Sequence, residues 1–223
     1  MFDLGVCYIL IFEVNIKRRV IMTGKTHVGI GIISAVILSQ YKMVKLTLGG
    51  LAICAIASLL PDIDHPKALL NRYILPAKNK TVKTTIYFTL GVFFLLLNFF
   101  YLNLKYVETL GIFFILTGFS SHRNGITHSL AGLLCFGLAF GFAAKAYGFK
   151  EYIIPFFLGY GLHIIADMFT NRGVPLLYPF KKRKYKMPIT FTVGSFWGNL
   201  FEGLIILIGL VYLTFKLPEI LLK

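Results

Sequence analysis

The chain has 223 residues, of which 57% are hydrophobic and 16% aromatic, against only 14% charged. That balance leaves too little polar surface for a water-soluble domain of this length, and long apolar runs separated by short basic clusters are the pattern of a polytopic helical membrane protein. The formal net charge of +14 would point to a nucleic-acid partner in a soluble protein, so its distribution along the chain decides what it means.

Residues 1–21 stand apart. The short apolar run "LGVCYILIFEV" contains Glu13 and is followed by "KRR", whereas a secretory signal places its charge before the apolar run. Met22 opens "MTGKTHVG" and reads as a natural start, so 1–21 is an extension of uncertain status and 22–223 a single membrane-embedded domain. Hydrophobic runs then predict helices at 26–40, 46–60, 84–104, 109–121, 127–144, 151–169 and about 197–216. This is an all-α transmembrane bundle of about seven helices. The four runs at 84–104, 127–144, 151–169 and 197–216 approach the ~20 residues needed to cross a ~30 Å hydrocarbon core. The other three are shorter, and 26–40 with 46–60 could instead form a re-entrant hairpin. Cys7, Cys54 and Cys135 lie far apart in apolar stretches, which suits packing better than a disulfide framework.

The helix count divides the basic residues between two sides. Sixteen of the 23 Lys and Arg fall on one side, including Lys17, Arg18, Arg19, Lys78, Lys80, Lys83, Arg123, Arg172 and the run "KKRKYK" at 181–186. By the positive-inside rule that side is cytoplasmic, with the N-terminus in and the C-terminus out. Topology therefore accounts for most of the charge, and no direct nucleic-acid binding is expected.

All five histidines and three of the four aspartates fall at predicted helix ends on that same side. His27 opens the first helix. Asp62, Asp64 and His65 close the second in "SLLPDIDHP". His122 and His128 flank the turn "SHRNGITHS", and His163 and Asp167 lie four residues apart in "GLHIIAD", on one helical face. Each has an ordinary alternative: an interfacial histidine, an Asx turn after Pro61, a helix cap at Thr26, a buried histidine satisfied by a carboxylate. Together, four segments delivering imidazole and carboxylate to one depth make the ligand set of a divalent metal, zinc first, manganese or iron otherwise, as one or two ions. Arg123 and Arg172 on the same side suit phosphate or carboxylate oxygens, and Glu202 is a weaker acidic candidate near Trp197.

The blocks "TGKTHVGIG", "LLPDIDHP", "HRNGITHSL" and "GYGLHIIADMFTNRGVPLLYPF", in this order over about residues 22–216, resemble the YdjM-type inner-membrane proteins. The resemblance implies a metal-dependent hydrolase of a prokaryotic cytoplasmic (inner) membrane, with LexA control in some members. It implies a metal site formed by His27, Asp62, His65, His128, His163 and Asp167. One departure is Asn124, an added residue between Arg123 and Gly125, which shifts the register of His122 and Arg123.

The expected function is thus a membrane-bound hydrolase with a cytoplasm-facing His/Asp metal site. Asp64 or Asp62 would take a proton, Arg123 and Arg172 would meet developing negative charge, and a phosphoester or lipid-linked headgroup would be the substrate. The sequence contains neither "GxSxG" nor "HExxH". The alternatives are a metal- or proton-coupled transporter, whose coupling residues belong near the midplane, and a scaffold with a closed structural metal site.

Overall fold

The computed structural model describes residues 22–120 and 125–221. The predicted extension at 1–21, His122 and Arg123 lie outside the described residues. Eight α-helices follow in order: α1 Gly24–Gln40, α2 Leu48–Ala57, α3 Asn71–Ile74, α4 Lys80–Leu97, α5 Lys105–Phe119, α6 Leu130–Tyr147, α7 Ile153–Met168 and α8 Phe196–Leu221. Seven correspond to the seven expected helices, and α3 is a single added turn. The described residues contain two isolated bridges, Thr170 with Phe191 and Val174 with Tyr185, and no strand.

The helix starts follow from short polar side chains placed before apolar runs. Thr23, Thr47, Asn79 and Ser129 each accept a hydrogen bond from a first-turn backbone N–H of α1, α2, α4 and α6. Thr23, not Thr26, is therefore the cap of α1, and Thr26 is free to turn inward. Past its last turn α4 continues as a π-helical segment, Asn98–Leu102, so Lys80–Leu102 forms one long apolar stretch.

Among the described residues, three helices are long and apolar enough to cross a membrane: Lys80–Leu102, Leu130–Tyr147 and Phe196–Lys216. The ten residues of α2 rise only about 15 Å, half of a hydrocarbon core. The apolar outer faces of α4 and α8 carry Phe93, Leu96, Leu207 and Phe215, all exposed, as lipid contact requires. The fold is that of a helical membrane protein. Its core packs Tyr87, Phe113, Phe136, Phe156 and Tyr160 around Ile63 of the turn that follows α2.

Two glycines draw the helices together where that turn begins. A Cβ on Gly159 of α7 would lie 2.2 Å from the Cys54 carbonyl oxygen, and one on Gly31 of α1 would lie 2.4 Å from Ser58 Oγ. Only hydrogen at those positions lets α1 and α7 press on the C-terminal end of α2. One turn beyond Gly159, the same closeness puts His163 Nδ1 2.7 Å from the Ser58 carbonyl oxygen.

Replacing Gly159 with Ala is therefore expected to destabilise the protein by about 1–3 kcal/mol, the usual range for overpacking. Gly161→Ala, where an added Cβ meets nothing within 4 Å, should leave stability nearly unchanged. Thermal unfolding of the two detergent-solubilised variants checks the contrast; equal midpoints would refute the close-approach account.

Candidate metal centre

At one end of the bundle, five of the residues singled out by sequence meet. His27 comes from the first turn of α1. Asp62 lies in the 3-10 turn Leu60–Asp64 after α2, and His128 in the 3-10 turn Ile126–His128 before α6. His163 and Asp167 share the inner face of the last turns of α7. All five are buried, each at most 6% exposed.

His128 Nε2 lies 3.4 Å from His163 Nε2. Asp62 Oδ1 is 3.5 Å from the first nitrogen and 3.8 Å from the second. Asp167 Oδ2 is 3.3 Å and 3.8 Å from the same pair. Two triangles of donor atoms thus share the edge between the histidines. Ligand atoms at about 2.0–2.2 Å from a tetrahedral zinc lie roughly 3.3–3.6 Å apart, so these separations are of the right size for common ligation after small adjustments. The other oxygen of Asp167, Oδ1, faces His27 Nε2 at 3.7 Å. The His27 and His163 rings stack with centroids 3.7 Å apart. Two groups, His27/His163/Asp167 and Asp62/His128/His163, have donor atoms close enough to hold an ion.

The outer hydrogen bonds fix which nitrogens face the cluster. A backbone carbonyl only accepts, so His163 Nδ1 carries the proton it donates to Ser58 and leaves the Nε2 lone pair pointing inward. Thr127 Oγ1 donates to Asp64 Oδ2 at 2.7 Å and lies 3.2 Å from His128 Nδ1. Its remaining lone pair can take the His128 Nδ1 proton, which again turns Nε2 inward. This carboxylate–hydroxyl–imidazole series has the arrangement of an outer shell around a metal-ligating histidine.

Electrostatics agree with a site that calls for positive charge. Burial raises the Asp62 carboxyl, but the surrounding His163, His128 and His27 reverse this and hold it well below the ordinary carboxylate range. Burial lowers His128, yet its contacts with Asp167 and Asp62 win and carry it above the usual imidazole range. Without an ion, a proton on His128 offsets part of the buried negative charge.

The remaining sequence candidates sit elsewhere. Asp64 is buried, accepts from Ser120 Oγ at 3.1 Å as well as from Thr127, and belongs to neither donor group. It supports His128 from outside. His65 is half-buried, its Nδ1 accepts from the Lys67 backbone N–H at 3.2 Å, and it too is outside both groups. Arg172 is exposed just beyond α7. Glu202 of α8 is buried and accepts from Thr26 Oγ1 at 2.9 Å, next in sequence to His27.

Sequence reasoning missed the supports. Asn71 Nδ2 donates to the carbonyls of Ile63 and His65, at 2.7 and 2.8 Å, and its Oδ1 accepts from the Tyr87 hydroxyl. That staple holds the "PDIDHP" turn onto α3 and α4. Tyr160 donates to the Thr127 carbonyl at 2.8 Å. Lys83, counted above among the basic residues of the cytoplasmic side, is 1% exposed, and its Nζ donates to the carbonyls of Thr117 and Ser120 at the end of α5. It neutralises the carbonyl end of that helix where Ser120 reaches Asp64.

No solved structure matches this chain. Over 167 residues it is 30% identical to "Inner membrane protein YdjM" of Escherichia coli (strain K12) and equally to the protein of that name from Shigella flexneri. Those alignments cover 72% of this chain and 64% of each relative, somewhat under two thirds of their length. The family model described as "YdjM inner membrane protein" matches residues 22–219, an interval containing every residue of the cluster, and the chain belongs to that family.

Proposed function

We propose that the protein is a membrane-bound, metal-dependent hydrolase whose site faces the cytoplasm. The observation that carries this reading is the meeting of three imidazole Nε2 atoms and two carboxylates from four chain segments at one end of the bundle. Zinc suits this mixed nitrogen–oxygen set first, with manganese or iron as the other candidates. Asp167 presents one oxygen to His27 and the other to His128 and His163, so one ion or two could be served. A divalent ion held there supplies Lewis acidity and makes the water it binds more acidic.

The chain's own residues divide the remaining work. His128 and His163 offer inward nitrogens fixed by Thr127 and Ser58. Asp64 acts on His128 through Thr127, which makes it a positioning residue. Asp62, whose side chain is 9% exposed, joins His128 and His163 in holding the ion from the more open side of the cluster. Arg172, exposed five residues after Asp167, can reach a phosphate at the membrane surface, and Arg123 is assigned the same role from its place in the sequence. A phosphoester or lipid headgroup is the substrate class, because helix ends lie at headgroup depth. The exposed run Lys181–Lys184 supports the cytoplasmic orientation. A transporter fits less well, since the cluster sits at helix ends rather than on broken helices at mid-depth.

Detergent-purified wild type should carry bound divalent metal by elemental mass spectrometry, and His163→Ala and Asp62→Ala should lose it while Arg172→Ala retains it. Metal-free wild type, or unchanged content in both cluster variants, refutes the site. Hydrolysis is then sought on phosphoester and lipid-headgroup substrates with and without chelator; metal-dependent ion flux in proteoliposomes without hydrolysis would favour the transporter.

Thr127→Val should weaken metal affinity about 10–100-fold without unfolding the protein, as loss of an outer-shell partner does elsewhere. Ligand histidines must be neutral to bind, so affinity should also rise with pH, and metal titrations on the acidic and alkaline sides of neutrality check the sign. A reporter fused after Lys186 should read cytoplasmic, and an outside signal would overturn the orientation.

A further inference from the structure

Behind the "PDIDHP" turn lies a half-open cavity of about 310 Å³ lined by α2, α5, α6 and α7. Its wall is hydrocarbon almost throughout: Ile53 and Ile56 of α2, Leu110 and Phe114 of α5, Ala139 and Ala143 of α6, among others. Leu60 and Ile63 line it at one end. Those two residues belong to the same five-residue turn as Asp62 and Asp64, so one side of the turn faces the donor cluster and the other faces the cavity.

The cavity runs away from the cluster in every helix that lines it. In α5 the lining residues retreat from Phe114 to Tyr106, while the C-terminal end of that helix leads to Ser120 and Asp64. In α6 they advance from Phe136 to Ala143, away from His128, and in α7 Phe156 lies two turns before His163. Tyr106 and Phe114 of α5 lie eight positions apart, about 12 Å along the helix, so the space is long enough to take a stretch of extended hydrocarbon chain. Water gains nothing there, because the wall gives it no partners.

We propose that this cavity binds the hydrocarbon chain of a lipid, with its far end near Tyr106 and its polar end at the Leu60–Asp64 turn. This deepens the hydrolase reading and rests on it for the meaning of the polar end: the substrate is a lipid-anchored molecule whose chain sets its register at the cluster. The small residues Ala139 and Ala143 determine how much chain is admitted.

The test uses the full-length protein in phospholipid nanodiscs containing a trace of phosphatidylcholine with a diazirine near the end of one acyl chain. Illumination and peptide mass spectrometry locate the adducts, with the lipid-exposed face of α4 around Leu96 as the reference. Wild type should label at Leu110, Phe114 and the Ala139–Ala143 stretch. Ala139→Phe and, at the far end, Ala143→Phe should each reduce that labelling relative to α4. About fourfold is expected per methylene excluded, so an order of magnitude is expected for either. Labelling of the outer faces alone, equal labelling in the variants, or cross-linking to a second chain in place of lipid would overturn the proposal. Metal content is measured on the same samples. Metal present without cavity labelling refutes the chain site alone; cavity labelling in a metal-free protein refutes the metal reading alone. Retained metal in the variants shows that they are folded.

Discussion

Two carboxylates buried at the level of membrane helix ends, Asp62 and Asp167, are the constraint around which the rest is arranged. A buried anion costs several kcal/mol unless cations or hydrogen bonds offset it. Here the offset is three imidazoles, held so that nitrogen lone pairs and carboxylate oxygens face one another. That set is stable with a proton on one imidazole or with a metal cation among them. Neither state needs a Lys or Arg inserted between the ligands, and the nearby Lys83 is instead directed to carbonyl oxygens of α5.

Holding such a cluster requires rigid surroundings, and the surroundings are built from backbone contacts. Gly31 and Gly159 let α1 and α7 close on α2, so the Ser58 carbonyl becomes the partner that orients His163. Asn71 fastens the "PDIDHP" turn through two of its carbonyls. Tyr160 fastens the Thr127 turn in the same way. Asp64 and His128 are thereby held by hydroxyl neighbours that carry no charge, and the turns can move little without breaking buried hydrogen bonds.

Ionisable residues at the ends of apolar helices are rare enough to stand out, and for that reason His27, Asp62, His128, His163 and Asp167 were legible in the sequence. The seven predicted helices were legible as well, from hydrophobic runs alone, with boundaries shifted by a few residues where Asn79 and Ser129 supply the true caps. The partition within "PDIDHP" was not. Asp62, Asp64 and His65 are adjacent in sequence, and only the 3-10 turn sends the first to the cluster, the second to Thr127 and the third toward the Lys67 amide. Neutral supports such as Asn71, Tyr87 and Thr127 carry no compositional signal, since the same residues serve as ordinary caps and packing groups in other helices.

The position of α8 has a consequence for how the protein is made. This helix packs chiefly on α1, where Gly209 makes room for Ile33 and Glu202 meets Thr26, and it contributes no residue to the donor groups. Every member of those groups lies between His27 and Asp167, ahead of the long segment 169–195. During synthesis the ligands have all left the ribosome before the last hydrophobic stretch does. The cluster can therefore assemble while α8 is still to be inserted. Arrival of α8 then covers the α1 side and brings the buried Glu202 against Thr26.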